Sequence, residues 1–167
     1  MDTGIESIPQ HDSGRNAHRF EVCSVARALE VLGDRWTFLI LRELFFGVRR
    51  FGQLARNLGV SRRILSDRLG KLVEADVLER RLYRRDPDHH EYCLTAAGLD
   101  LYPAIVSLMA WGDRNLSDEA GPPLLLRHRD CGHDTRPVLV CSECREPLKA
   151  SAVEPHPGPG ATGAGSG

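Results

Sequence analysis

Apolar residues recur at helical spacing along most of the chain between residues 20 and 118. Val25, Leu29 and Leu32 share one face of a helix that Ser24 can cap and Gly33 can end. Asp34 can cap a second helix, Trp36 to Phe46. There Trp36, Phe38, Leu39, Ile40, Leu41, Leu44 and Phe45 leave almost no polar side, so this helix is expected at the centre of the core. Phe51 to Leu58 is short and amphipathic, and Gly59 stands where a left-handed residue closes a helix. Ser61 then caps a longer helix to about Ala75. Ile64, Leu65, Leu69, Leu72 and Val73 form its inward stripe, while Arg63, Ser66, Asp67, Gly70 and Lys71 point outward. From Val77 to Tyr83 and from His90 to Thr95 the content turns β-branched, aromatic and partly alternating, which predicts two strands around an exposed turn at Asp86 and Pro87. Thr95 can cap a last helix with two apolar stripes, one of Leu99, Tyr102, Ile105, Val106 and Met109, the other of Leu101, Leu108 and Trp111.

Charge changes the picture once it is divided by region. The 167-residue chain carries 22 basic and 23 acidic side chains, a net charge of -1 that says little. Residues 42–85 alone hold twelve basic side chains against five acidic ones, so this block stands at +7 and the rest of the chain at -8. Eleven of the twelve are arginine, whose planar fork of donors suits phosphate oxygens and guanine edges. A charge run by itself is also what a solvated face looks like.

Placed on the predicted elements, the block falls on a helix, a glycine turn, a second helix and a hairpin. FGQLARNLGVSRRILSDRLGKLVEADVL reads as a helix-turn-helix, and the basic-flanked hairpin behind it reads as a wing. The fold class is mainly α (α+β), a winged helix-turn-helix. Recognition helices read base edges near their N-terminus. Arg62, Arg63, Ser66 and Asp67 are therefore the candidate base contacts, with Arg68 and Lys71 suited to phosphate or to intramolecular pairs. Arg84 and Arg85 would reach the backbone or minor groove beside the helix. Asp67 can instead hold Arg63 or Lys71 at i,i+4 spacing. The partner these features imply is double-stranded DNA.

CSVARAL from Cys23, then VLGDRW, RRFGQLARNLGVSRRILSDRLGKL and EYCLTAAGLDLYPAIVSLMAWG resemble the HxlR-type winged helix-turn-helix transcriptional regulators, relatives of the MarR group. The resemblance covers about residues 20–118 and implies a homodimeric bacterial regulator on a pseudo-palindromic operator. It leaves room for a small-molecule or redox effector. The two stripes of the last helix point to dimerisation independently, because a domain this small should not bury both alone; coverage by the N-terminal helix is the alternative. Cys23 stands where redox-sensing members of the family resemble it with a reactive cysteine. A thiol at a helix N-terminus is favoured as thiolate, which makes Cys23 a redox switch candidate; the alternative is a small buried hydrophobe. Cys93, inside a wing strand, is expected to pack.

The remaining cysteines follow a different pattern. His128-x2-Cys131, nine intervening residues and Cys141-x2-Cys144 have the spacing of two metal-binding knuckles. One structural zinc per chain is the expected cofactor, with His133 as the competing nitrogen ligand and Arg136 to Val140 as a linking strand. A redox dithiol and no site at all are the alternatives. Residues 124–150 would then be a small zinc-ribbon-like appendage, residues 1–19 a polar tail, and residues 151–167 a Gly/Pro-rich tail without order.

Neither a signal peptide nor a membrane-spanning stretch is visible, which predicts a cytoplasmic, nucleoid-associated protein without membrane contact. No phosphate-binding glycine loop or nucleophile-base motif argues for an enzyme. The competing function is a redox- or zinc-dependent protein-interaction module that uses the helix-turn-helix as a scaffold. Such a scaffold has no need of a +7 block.

Overall fold

The computed structural model describes residues 23–85 and 88–161. The expected N-terminal tail, the centre of the wing turn at Asp86 and Pro87, and the last six residues lie outside the described residues. Two compact units divide the chain: Ala28–Pro137, and Val138–Gly167 together with Met1–Arg27.

The larger unit is built on four helices in succession: α1 Ser24–Leu32, which begins at its edge, α2 Arg35–Phe45, α3 Phe51–Leu58 and α4 Arg62–Glu74. Asp34 caps α2 by accepting the Trp36 N–H over 2.8 Å, and Ser61 caps α4 by accepting the Ile64 N–H over 3.3 Å. Gly59 takes the left-handed conformation, φ +60°, that ends α3 and turns the chain into α4. Branched aliphatic side chains form the core: Ile40 and Leu41 of α2, Leu54 of α3, and Leu65, Leu69 and Leu72 of α4. Glu43 of α2 is buried among them, accepting Arg42 Nη2 over 2.8 Å and Asn57 Nδ2 over 2.7 Å, so α2 and α3 are joined by a satisfied carboxylate.

After α4 the chain turns through Asp76, left-handed at φ +55°, into the hairpin β1 Leu78–Arg85 and β2 Asp88–Leu94. The strands pair antiparallel from Leu78 opposite Leu94 to Arg85 opposite Asp88, with an irregularity between Leu82 and Arg84. Both strands are longer than their apolar pattern predicts, because Arg84 and Arg85 are strand residues and not part of the turn. Backbone pairing is indifferent to side-chain charge, and the hairpin extends beyond the half-buried part.

The last helix differs from expectation. Thr95 does cap a helix, accepting the Gly98 N–H over 3.0 Å, but α5 Ala96–Leu99 stops after one turn and α6 Tyr102–Asn115 starts afresh. Pro103 explains the break: it has no N–H for a continuing helix and its ring crowds the carbonyl of residue 99. Gly98 packs so closely on the wing that a Cβ there would stand 2.2 Å from the Val77 carbonyl oxygen. Ile105 and Val106 of α6 are buried, and Tyr102 stacks against Phe45 of α2 with ring centroids 5.1 Å apart.

Beyond α6 the elements are short. β3 Leu126–Arg127 pairs with β4 Asp134–Thr135 around residues 128–133. In the second unit Val140 bridges Pro147 around residues 141–146, and 3-10 turns follow at Ala150–Ala152 and Pro159–Ala161. The linking strand expected at Arg136 to Val140 does not form as one element; Pro137 lacks the N–H a ladder needs, and pairing occurs on either side of it.

Candidate nucleic-acid interface

Helix α4 separates its faces by burial. Leu65, Leu69 and Leu72 are enclosed, while Arg62, Arg63, Ser66, Asp67, Gly70 and Lys71 are exposed. Ile64 departs from the expected inward stripe and is 39% exposed. It lies about 100° around the helix from Leu65, on the side away from the core, and so joins the exposed arc beside Lys71.

The exposed arc is organised by local pairs. Lys71 Nζ lies 3.4 Å from Asp67 Oδ2, the i,i+4 pair that the spacing suggests. Arg68 reaches the other way: its Nη2 lies 3.3 Å from Oδ2 of Asp34, the α2 cap, so this half-buried guanidinium ties α4 to the start of α2. Arg62 rests over the Phe51 ring, 5.1 Å from its centroid, which braces the turn between α3 and α4. Arg63 makes no ion pair among the described residues.

The wing is joined to the segment before α3. The Tyr92 N–H donates to the Arg49 carbonyl over 2.9 Å, Arg50 forms an isolated antiparallel backbone β-bridge with Glu91, and the Arg50 guanidinium lies 4.6 Å from the Tyr83 ring centroid. Arg80 contacts His90 Nδ1 at 3.0 Å, and Arg81 pairs with Glu79, whose hydrogen bond and charge push the Arg81 pKa upward. Arg84 and Arg85 are exposed at the end of β1 and form no ion pair with another described residue. Among the described residues Arg63, Arg84 and Arg85 thus have no ion-pair partner, on a helix and hairpin that are adjacent in the chain.

A helix-turn-helix with a uniformly enclosed inner face, an exposed polar outer face and a following hairpin is a winged helix. The family model described as HxlR-like helix-turn-helix matches residues 31–120. The chain belongs to the HxlR-like helix-turn-helix family. Members are transcription regulators, not enzymes. The HTH-type transcriptional regulator Rv3095 of Mycobacterium tuberculosis is 58% identical over 144 residues, 86% of this chain and 91% of the relative. The HTH-type regulator YdeP of Bacillus subtilis is 31% identical over 57% of this chain and 75% of its own. Among solved structures, PA1607, described as a candidate transcription factor, is 33% identical with a TM-score of 0.74, covering 84% of this chain and 99% of that one. The redox regulator HypR in its reduced form is 28% identical with a TM-score of 0.53, covering 56% of this chain and 93% of that one. Since the family match ends at residue 120, the 144-residue likeness to Rv3095 carries at least 24 residues past it. Of the described residues, no helix is long and apolar enough to cross a membrane.

The other singled-out residues lie elsewhere. Cys23 stands immediately before α1, half-buried, its carbonyl accepting the Arg27 N–H over 3.0 Å. Cys93 is buried in β2, as expected of a packing residue. His128 and Cys131 form one pair of donors, with Nδ1 3.3 Å from Sγ, and Cys141 and Cys144 form another, joined by a side-chain hydrogen bond. Among the described residues no group of three or more His, Cys, Asp or Glu side chains is gathered as a metal cluster. Sequence reasoning missed Ile64 as an exposed residue of the recognition face. The signal was there, because Leu65, Leu69 and Leu72 already complete an i, i+4, i+7 stripe without it.

Proposed function

We propose that the chain regulates transcription as a homodimer on a pseudo-palindromic operator, with α4 in the major groove and the β1–β2 wing on the flanking groove. The observation that carries this reading is the exposed basic face: Arg63 at the start of α4 with Arg84 and Arg85 at the end of β1, none with an ion-pair partner among the described residues. Arg62, Arg63, Ser66 and Asp67 read base edges, Arg63 by a bidentate pair to guanine. Ile64 supplies an apolar contact of the kind thymine methyls accept. Lys71, Arg84 and Arg85 neutralise phosphates, whereas Arg68 acts mainly by holding α4 on Asp34.

Dimerisation is supported by the apolar side chains left outside the core. Leu99, Tyr102, Leu108, Trp111 and Leu116 are each at least 43% exposed along α5, α6 and the residue that ends α6, as is Leu29 of α1. A symmetric partner covering them would space two recognition helices by about one DNA turn, ~34 Å. Operator fragments selected from genomic DNA test the reading. Affinity is expected to fall steeply with salt, and sedimentation should find two chains per bound fragment. Binding by an Arg63→Ala variant as tight and selective as that of the natural chain would overturn the base-reading assignment.

Similarity to the reduced form of HypR favours a second reading in which the regulator responds to oxidants through Cys23. Oxidant would then change DNA binding of the natural chain and leave that of Cys23→Ser unchanged. An equal response of both would remove Cys23 from the role.

A further inference from the structure

Past α6 the chain turns and comes back along that helix. Asp118 shapes the turn, its Oδ1 accepting the Ala120 N–H over 2.9 Å and its carbonyl accepting the Gly121 N–H over 3.1 Å. Gly121 is left-handed at φ +79°, and Pro122 and Pro123, with their restricted backbone, lead on toward β3. The β3–β4 hairpin, held by Arg127 on Asp134 over 2.9 Å, then returns Thr135, Arg136 and Pro137 to the same helix. All of these segments lie within the larger unit, Ala28–Pro137.

A cavity of about 460 Å³ remains between the helix and the returning chain, a size that suits a small molecule. One wall is a single face of α6, where Val106, Met109, Ala110 and Asp113 recur at i, i+3, i+4 and i+7. The opposite wall is formed by Pro122, Leu124, Leu125 and Leu126. Leu124 and Leu125 are 45% and 62% exposed, so packing has not consumed their apolar surface. Leu108 and Trp111, which serve the proposed dimer, lie about 200° and about 140° around α6 from Val106, so a partner seated there approaches the helix from its other side. Two guanidiniums, Arg114 and Arg136, stand in the lining, and neither has an ion-pair partner among the described residues. Of the two carboxylates beside them, Asp134 is taken by Arg127 and only Asp113 is left. The cavity is therefore apolar along its walls and carries an excess of positive charge.

We propose that this cavity binds a small amphiphilic carboxylate, its apolar body between Met109, Leu124 and Leu126 and its carboxylate on Arg114 and Arg136. A guanidinium donates paired, charge-assisted hydrogen bonds to a carboxylate, which fixes the orientation of the ligand while the apolar walls supply most of the affinity. A neutral amphiphile of the same length forgoes those bonds, and a cationic one meets two like charges. The site lies on elements other than α4 and the wing, so it goes beyond the DNA-binding reading and its occupancy is measured without DNA.

Titration calorimetry of the purified full-length chain with sodium decanoate, below its micellar concentration, tests the site. The expected result is saturable binding of decanoate equimolar with the chain, roughly tenfold tighter than that of decanol, and no saturable binding of decylammonium. Ala110→Phe fills the cavity from α6 and Leu124→Trp narrows it from the opposite wall; each should weaken decanoate roughly tenfold. Arg114→Gln combined with Arg136→Gln should bring decanoate down to the affinity of decanol and leave decanol unchanged. Unchanged helical circular dichroism and unfolding midpoint in each variant separate loss of the site from unfolding. Absence of saturable decanoate binding by the natural chain would overturn the proposal, as would undiminished binding by both filled variants. Equal affinity for decanol, or a preference for decylammonium, would overturn the ligand class.

Discussion

Between Leu32 and Val106 the protein encloses side chains such as Ile40, Leu41, Leu54, Leu65 and Leu69 completely, whereas beyond Val106 no described residue is buried. The first region can be ordered by removing apolar surface from water. The second has apolar residues as well, among them Leu125, Val138 and Leu139, but each is more than 60% exposed. Past the end of α6, its order is recorded in backbone hydrogen bonds around two short turns. One chain thus joins a region whose structure follows from packing to one whose structure follows from local turns and the chemistry they present.

Substitutions in the two regions should differ most where a leucine is shortened. Leu65→Ala removes an enclosed side chain between helices and is expected to cost about 3 kcal/mol in denaturant unfolding, whereas Leu139→Ala should fall within about 0.5 kcal/mol. Similar costs at the two sites would erase the contrast. Gly98→Ala comes next. The added Cβ meets the Val77 carbonyl, so the wing or α5 must move, at about 1–3 kcal/mol; Gly70→Ala, which meets nothing, serves as its control. DNA affinity should then separate reading from neutralisation. Arg63→Ala should lose about 1–3 kcal/mol and relax selectivity, and Arg84→Ala should weaken all sequences alike and lower the salt slope by about one. The smallest effect is expected at a cap: Ser61→Ala should cost about 1 kcal/mol of stability through the lost bond to the Ile64 N–H. Calorimetry that found no change would show that α4 is held in place by packing alone.

Much of the winged region was legible because each of its boundaries has a local cause. Asp34 and Ser61 are caps, Gly59 is left-handed, and the leucines of α4 repeat at helical spacing. Three features were not. The two-stripe pattern from Leu99 to Trp111 suggested one helix, yet Pro103 divides it, since periodicity reports faces and not continuity. Ile64 is apolar and still faces outward, because the stripe next to it is already complete. Val25, Leu29 and Leu32 share one face of α1 by spacing, yet only Leu32 is enclosed, while Val25 and Leu29 are exposed. The candidate basic contacts were legible as a group, but their division was not: which arginines are free depends on partners distant in sequence, as Arg68 on Asp34 shows.

The amino-acid sequence by itself determined the helix-turn-helix, the hairpin behind it, the basic block they carry and the two paired-donor spacings near the C-terminus. Each of these is written in residues a few positions apart, within reach of capping, periodicity and charge arithmetic. Only the tertiary structure decided that Arg68 serves the fold, that Gly98 must lack a side chain, and that the turns at His128 and Cys141 repeat one geometry. The first two depend on groups brought together from different elements. The third depends on backbone torsions, and Arg145 adopts a left-handed conformation that its side chain gives no reason to expect.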